Sequence, residues 1–190
     1  MNRDAYYDES VSKIKLQEEK PSFIIRSLQV NKTSLLRDFL YEAIFVPEGM
    51  NAPLRNVVDL PELQVYIQDF GSRIGDYSLV AESFGRVLGA VWVRLMNDYG
   101  HVDDQTPSLA ISLYAAYRGK GIGTALLQAV LGLLYSEGYK KVSLSVQKAN
   151  PAVRLYERLG FNPHCATSRT RLLIIIVNRS FQSIVFPEYG

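Results

Sequence analysis

The chain of 190 residues is 47% hydrophobic and 21% charged, an ordinary composition for one globular domain that can bury a core without cross-links. A single cysteine, Cys165, and two histidines, His101 and His164, exclude an intrachain disulfide, a cysteine-based zinc cluster and a three-histidine metal site, so no metal is expected. The net charge of +2 hides an asymmetry: residues 41–104 hold ten acidic and four basic side chains, residues 111–160 seven basic and two acidic, which suits one anionic and one cationic ligand as well as two solvated faces.

Residues 1–21 are charged and weakly periodic, reading as a tail or short helix, without the apolar segment of a signal peptide. No apolar run reaches the roughly 20 residues that span a bilayer, so no membrane partner and a cytoplasmic location are expected. A first strand is predicted at 23–26. Asn31 or Thr33 can cap a helix running to about Phe45, with Leu35, Leu36, Phe39, Leu40, Ala43 and Ile44 at helical spacing. Pro61 suits the first turn of a second helix whose apolar stripe is Leu63, Tyr66, Ile67 and Phe70. Strands at 77–82 and 87–96 flank a hairpin turn at 83–86, and a polar loop covers 97–107. Strand four, 108–113, alternates Leu109, Ile111 and Leu113 with Ala110 and Ser112. A long helix at 122–137 ends at Gly138, and strand five alternates Val142, Leu144 and Val146 with Ser143 and Ser145. A helix at 151–159, strand material at 172–177 and a tail at 178–190 complete the chain. The strand–helix–strand run from 108 to 146 is a parallel crossover, while the short N-terminal connections favour antiparallel pairing, so the fold class is α/β with a mixed sheet.

The most informative segment is residues 117–124, Tyr-Arg-Gly-Lys-Gly-Ile-Gly-Thr, between strand four and its helix. Its three glycines admit close backbone approach, it ends at a helix N-terminus that favours an anion, and Arg118 and Lys120 add charge. A diphosphate fits this chemistry; so does a tight turn with no ligand. Two other phosphate motifs fail: Thr124 stands where a dinucleotide fingerprint starting at Gly119 needs Gly or Ala, and no P-loop spacing is present.

Arg118-x-x-Gly121-x-Gly123, followed by Asn150-Pro151-Ala152-Val153-Arg154-Leu155-Tyr156-Glu157-Arg158-Leu159-Gly160-Phe161, resembles the two signatures of the GNAT acetyltransferase superfamily. The resemblance covers roughly residues 22–177. It implies a central, mostly antiparallel sheet with a parallel strand four–helix–strand five crossover and helices on both faces. It also implies acetyl-CoA as co-substrate, its pantetheine arm in a wedge between splayed strands four and five, where Ala110, Ser112, Ser143 and Ser145 suit either the wedge or close helix packing. By motif position, backbone groups of Ile111, Ser112 and Leu113 pair with the arm and the acetyl carbonyl. Gly119, Lys120, Gly121, Ile122, Gly123 and Thr124, with Arg118, bind the diphosphate, Asn150 contacts the arm, and Tyr156 sits near the sulfur.

The implied reaction is acetyl transfer to a primary amine, on a small cationic molecule or a protein. A backbone N–H near Leu113 is then the oxyanion donor and Tyr156 the proton donor to the thiolate. Periodicity alone makes Tyr156 a core residue on a stripe with Val153 and Leu159. No base is assigned, because strand four begins with Ser108 and strand five offers only Ser143, Ser145 and Gln147; Glu82, His101, Asp103 and Asp104 are substitutes. The acidic 41–104 stretch would attract a cationic acceptor, with Trp92 and Tyr99 as aromatic walls. A CoA-binding sensor without catalysis is the alternative. Nucleic acid is not expected as a partner, since the basic half lacks an aromatic platform. A homodimer is possible through strand 172–177 and the tail.

Overall fold

The structure, a computed structural model, describes residues 22–29 and 32–181. The predicted tail or helix at 1–21, the Asn31 cap and residues 182–190 lie outside them. Strand β1 (Ile24–Ser27) leads to α1 (Leu35–Ala43), which buries Leu36, Phe39 and Leu40 at i, i+3 and i+4. Its N-cap is Ser34, which makes no side-chain capping bond.

A 3-10 turn at Arg55–Asp59 precedes α2 (Pro61–Gln64), far shorter than the helix predicted through Phe70. The Arg94 guanidinium donates to the carbonyls of Val65, Gln68 and Asp69 at 3.2, 2.7 and 3.2 Å. Of these only the Val65 carbonyl would be needed inside a helix ending at Phe70, and the chain proceeds in single turns to Phe70 with Arg94 bound to it.

Strands β2 (Tyr77–Ser83) and β3 (Arg86–Arg94) form a hairpin through Phe84 and Gly85, both at positive φ, 47° and 75°. That is the two-residue turn whose twist matches antiparallel strands. Then come β4 (Ser108–Leu113), an unanticipated 3-10 turn at Ala115–Tyr117, α3 (Ile122–Ser136), β5 (Lys141–Gln147) and α4 (Val153–Arg158). The C-terminal part holds two strands where one was predicted: β6 (Asn162–Ala166) and β7 (Thr170–Ile176). Every residue of β6 is exposed and it contains Pro163, so it carries no burial pattern that could be read. The tail turns back onto its own domain at Arg179–Phe181, close enough that a Cβ on Gly132 of α3 would meet the Phe181 carbonyl oxygen at 2.6 Å.

The seven strands run in the order β1-β2-β3-β4-β5-β7-β6, antiparallel except for β4 and β5. Both faces are covered. Leu126, Leu127, Val130 and Leu134 of α3 pack on Val91, Val93, Val142 and Leu144, while α1 and the 55–70 segment pack on Val80, Ala90 and Trp92. This is the mixed α/β sheet expected, with the parallel crossover at its centre.

Arg94 is fully buried and pairs with Asp76, at 2.7 Å from Nε to Oδ1 and 2.7 Å from Nη2 to Oδ2, and its guanidinium lies 5.0 Å from the Phe70 ring centre. Burial alone would raise the Asp76 pKa; hydrogen bonds from Arg94 and from the Gly71 and Arg73 amides outweigh it and hold the carboxyl below its usual range. A depressed folded-state pKa contributes stability above the unfolded value near 4, lost as pH falls through the folded one. Asp76→Asn should therefore cost about 3–5 kcal/mol at neutral pH. Urea titrations across acid pH should find the variant's stability less pH-dependent than the wild type's.

Candidate active site

The gap between β4 and β5 organises the site. The two strands register at one pair only, Ser108 with Ser143, supported by the Ser143 amide bonding the Pro107 carbonyl at 3.0 Å. Beyond that point they separate, because each is held on its other edge: β4 pairs with β3 from Gly89–Leu113 to Arg94–Ser108, and β5 pairs with β7 over its whole length. The Tyr114 amide bonds to Leu88 of β3. Backbone groups alternate in direction along a strand, so the N–H groups of Ile111 and Leu113 point away from β3, towards the gap, where no β5 residue pairs with them.

Of the two roles expected for the small side chains, Ser112 and Ser143 show close packing. The Ser112 hydroxyl donates to the Phe39 carbonyl of α1 at 2.6 Å, and the Ser143 hydroxyl donates to the Gly100 carbonyl at 2.5 Å. They bring α1 and the 97–107 loop close to the sheet. The gap comes from strand divergence, not from side-chain size.

At the open end, β4 runs through Ala115–Tyr117 into the glycine loop. Gly119 and Gly121 lie at φ 75° and 85°, and a Cβ on either would meet nothing within 4 Å. Gly121 is the left-handed N-cap of α3, Ile122 is fully buried beneath it, and Gly123 and Thr124 are half-buried in the first turn. A Cβ on Gly123 would lie 3.5 Å from both the Leu113 and Leu155 side chains, so the end of β4, the start of α3 and α4 converge there. Lys120 is exposed. Arg118 is not a free cation: its Nε donates to the Leu113 carbonyl at 3.0 Å and its Nη2 to the Glu42 carboxylate at 2.9 Å, tying the loop to the end of α1.

Asn150 uses its side-chain oxygen to accept from the Ala152 amide at 2.9 Å, starting α4. Tyr156, on α4, is 8% exposed and stacks edge-on to Phe161 at 5.8 Å, yet its hydroxyl bonds to no other described residue. Burial pushes its pKa up to about 12.

Other expectations change. Half of the acidic stretch is paired internally, Glu42 with Arg118, Asp59 with Arg37, Asp76 with Arg94, Glu82 with Arg26 and Asp103 with Lys141. Of the substitute bases, Glu82 is thus engaged two strands from β4, Asp103 is bonded by the Gln105 amide and lies 4.0 Å from Lys141, His101 Nδ1 is 3.2 Å from the Met96 carbonyl oxygen, and Asp104 is exposed. Trp92 is fully buried core, its indole N–H without a partner among the described residues, whereas Tyr99 is exposed. Asp98, not singled out by sequence, accepts from the Tyr66 hydroxyl and from the Ser108 hydroxyl, each at 2.6 Å. Among the described residues no helix is long and apolar enough to cross a membrane.

A mixed sheet parted at its central parallel pair, with a glycine loop at the open end, is the architecture that the resemblance implied. Residues 45–161 match the profile of the Acetyltransferase (GNAT) family, and the chain belongs to that family. It is 40% identical over 98 residues to a mycothiol acetyltransferase of Corynebacterium aurimucosum, covering 47% of this chain and 30% of that protein. It is 35% identical over 119 residues to an N-alpha-acetyltransferase of Sulfurisphaera tokodaii, covering 56% and 70% respectively. The chain therefore spans less than a third of the first of these relatives. The PaiA N-acetyltransferase of Thermoplasma acidophilum, solved with coenzyme A, superposes with a TM-score of 0.62 at 18% identity, over 82% of this chain and 99% of that one.

Gly121 caps α3 in a conformation that costs other residues about 1–2 kcal/mol. Since open space surrounds it, Gly121→Ala should lose about that much stability in a urea unfolding titration, with no further steric loss.

Proposed function

We propose that the domain at residues 22–177 is an acetyl-CoA-dependent N-acetyltransferase that transfers the acetyl group to a primary amine by direct attack. The observation that carries this reading is the unpaired edge of β4 at Ile111 and Leu113, running into a glycine loop at the N-terminus of α3. An extended amide-bearing arm pairs with such an edge as an added strand would. Its diphosphate suits the N–H groups from Gly119 to Thr124 with the Lys120 ammonium. Arg118 holds this loop against Leu113 and Glu42. The Asn150 amide N–H groups stay available to the arm while its oxygen accepts from the Ala152 amide ahead of α4.

Bound acetyl-CoA supplies a thioester whose acetyl group passes to the amine nitrogen as the C–S bond breaks. The Leu113 N–H, facing the gap, donates to the carbonyl oxygen as charge develops on it. Tyr156 donates its unshared hydroxyl proton towards the departing sulfur. With its pKa near 12, complete transfer to a thiolate of ordinary pKa about 8.5 is uphill by about 5 kcal/mol. Tyr156 therefore stabilises the leaving sulfur by hydrogen bonding, while solvent takes the proton that the amine nitrogen loses and returns one to the sulfur. The amine reaches the site from the α1 side, and the acceptor is a small cationic molecule or a protein amino group. A second reading, a CoA-binding sensor, draws on the absence of any carboxylate from β4 and β5.

Calorimetric titration with acetyl-CoA should give micromolar binding that Gly121→Glu abolishes, because a carboxylate would occupy the diphosphate position. A free-thiol assay over a panel of amines should then report turnover; binding without thiol release would favour the sensor. Tyr156→Phe should lower kcat about 10²-fold with little change in CoA affinity. The wild type should show no alkaline loss of kcat from Tyr156 until the pH approaches 12, and a pH–rate profile checks this.

A further inference from the structure

We infer that Asp98 selects the acceptor by binding a positive charge on it other than the nitrogen that is acetylated. The inference rests on the transferase reading above and gives that site a substrate class: amines with a second cationic group.

Asp98 stands apart from the other half-buried carboxylates. Asp38, Glu42, Asp76, Glu82 and Asp103 each have a Lys or Arg nitrogen within 4.0 Å. Asp98 alone among half-buried carboxylates of the described residues has none. Two neutral hydroxyls hold it instead. Tyr66 donates to Oδ2 and Ser108 to Oδ1, each at 2.6 Å. Burial and the Asp98 charge push the Tyr66 pKa up, so the phenol stays a donor. These bonds fix the carboxylate in place, leave about half of its lone-pair positions free and cancel none of its charge. A half-buried, uncompensated carboxylate is costly to the fold unless a cation comes to it.

Its position matches an acceptor rather than CoA. Ser108, Ala110 and Ser112 share the α1 face of β4. The Ser112 end is covered by α1 through the bond to Phe39, and the Ser108 end by Asp98 and Tyr66. Between them Ala110 is only half-buried. Ala110 packs against the core on that face, and Asp98, itself half-exposed, stands at one end of the strip. At about 3.3 Å per residue, the strip places it three to five residues, about 10–17 Å, from the N–H groups of Ile111 and Leu113. That separation and the chemistry both argue against Asp98 gripping the reacting nitrogen. A carboxylate beside that nitrogen would favour its protonated form, which cannot attack. A second cation is held equally in the ground state and the transition state, so its loss appears in affinity and KM, not in kcat.

The test is calorimetric titration of the CoA-bound full chain, so that its outcome does not depend on turnover. The probes are a graded series of α,ω-diaminoalkanes with the matching monoamines, and a short peptide whose free N-terminus is followed by lysine with its norleucine counterpart. Wild type should prefer the dication of at least one pair, the longer diamines over the shorter, by about tenfold to a hundredfold. Asp98→Asn should collapse that preference towards one, with a melting temperature no lower than the wild type's, and Asp98→Glu should retain part of it. Tyr66→Phe, which removes one donor and leaves the charge, should reduce it less than Asp98→Asn. The pair that carries the preference tells a small diamine from a peptide acceptor. No preference in wild type, or a preference that survives Asp98→Asn, overturns the assignment. An equal loss of monoamine and diamine binding does so too, since it would mark a structural role. Failure of the transferase reading would appear separately, as diamine selectivity without thiol release.

Discussion

The separation of β4 from β5 is the constraint on which the rest of this molecule depends. One bridge, between Ser108 and Ser143, joins the two halves of the sheet, and the strands part because each is committed elsewhere: β4 to β3 and α1, β5 to β7. The fold leaves backbone donors unpaired at the centre of a sheet, where they would ordinarily be satisfied. Such a cost is understandable only if another chain of amides completes the ladder, which is what the proposed CoA arm does.

Buried and half-buried charge follows one rule through the protein, with a single departure. Arg94 and Asp76 neutralise each other in the interior, and Arg94 also binds carbonyls of the 65–70 segment. Arg118 and Glu42 join the glycine loop to α1 through one ion pair. Pairing of this kind ties up the half-buried carboxylates of the described residues, apart from Asp98. Asp98 is held by hydroxyls rather than by a cation, which is why the proposed selectivity is assigned to it.

Much of the scaffold was legible because its signals are local. Alternation at 108–113 and at 142–146 reports faces of strands, apolar spacing reports α1 and α3, and three glycines before a helix report the loop. The family signatures carried the proposed roles of Tyr156 and Asn150, which spacing alone left ambiguous. Local signals failed where tertiary groups overrode them. The stripe from Leu63 to Phe70 is helical in pattern, yet only Pro61–Gln64 is helix and Arg94, distant in sequence, binds the carbonyls that follow. Strand β6 is wholly exposed and so has no pattern to read.

The sequence by itself determined the elements from β1 to α4 apart from the extent of α2, the parallel crossover, the glycine loop before α3 and the family, since each rests on residue type and near-neighbour spacing. Only the tertiary structure decided which charges remain uncompensated, that Arg118 bonds to Glu42 and the Leu113 carbonyl, and that Ser112 and Ser143 bond α1 and a loop. These are questions of which partner lies across tens of residues, and Asp98 with Tyr66 and Ser108, 32 and 10 positions apart, has no periodic trace in the chain.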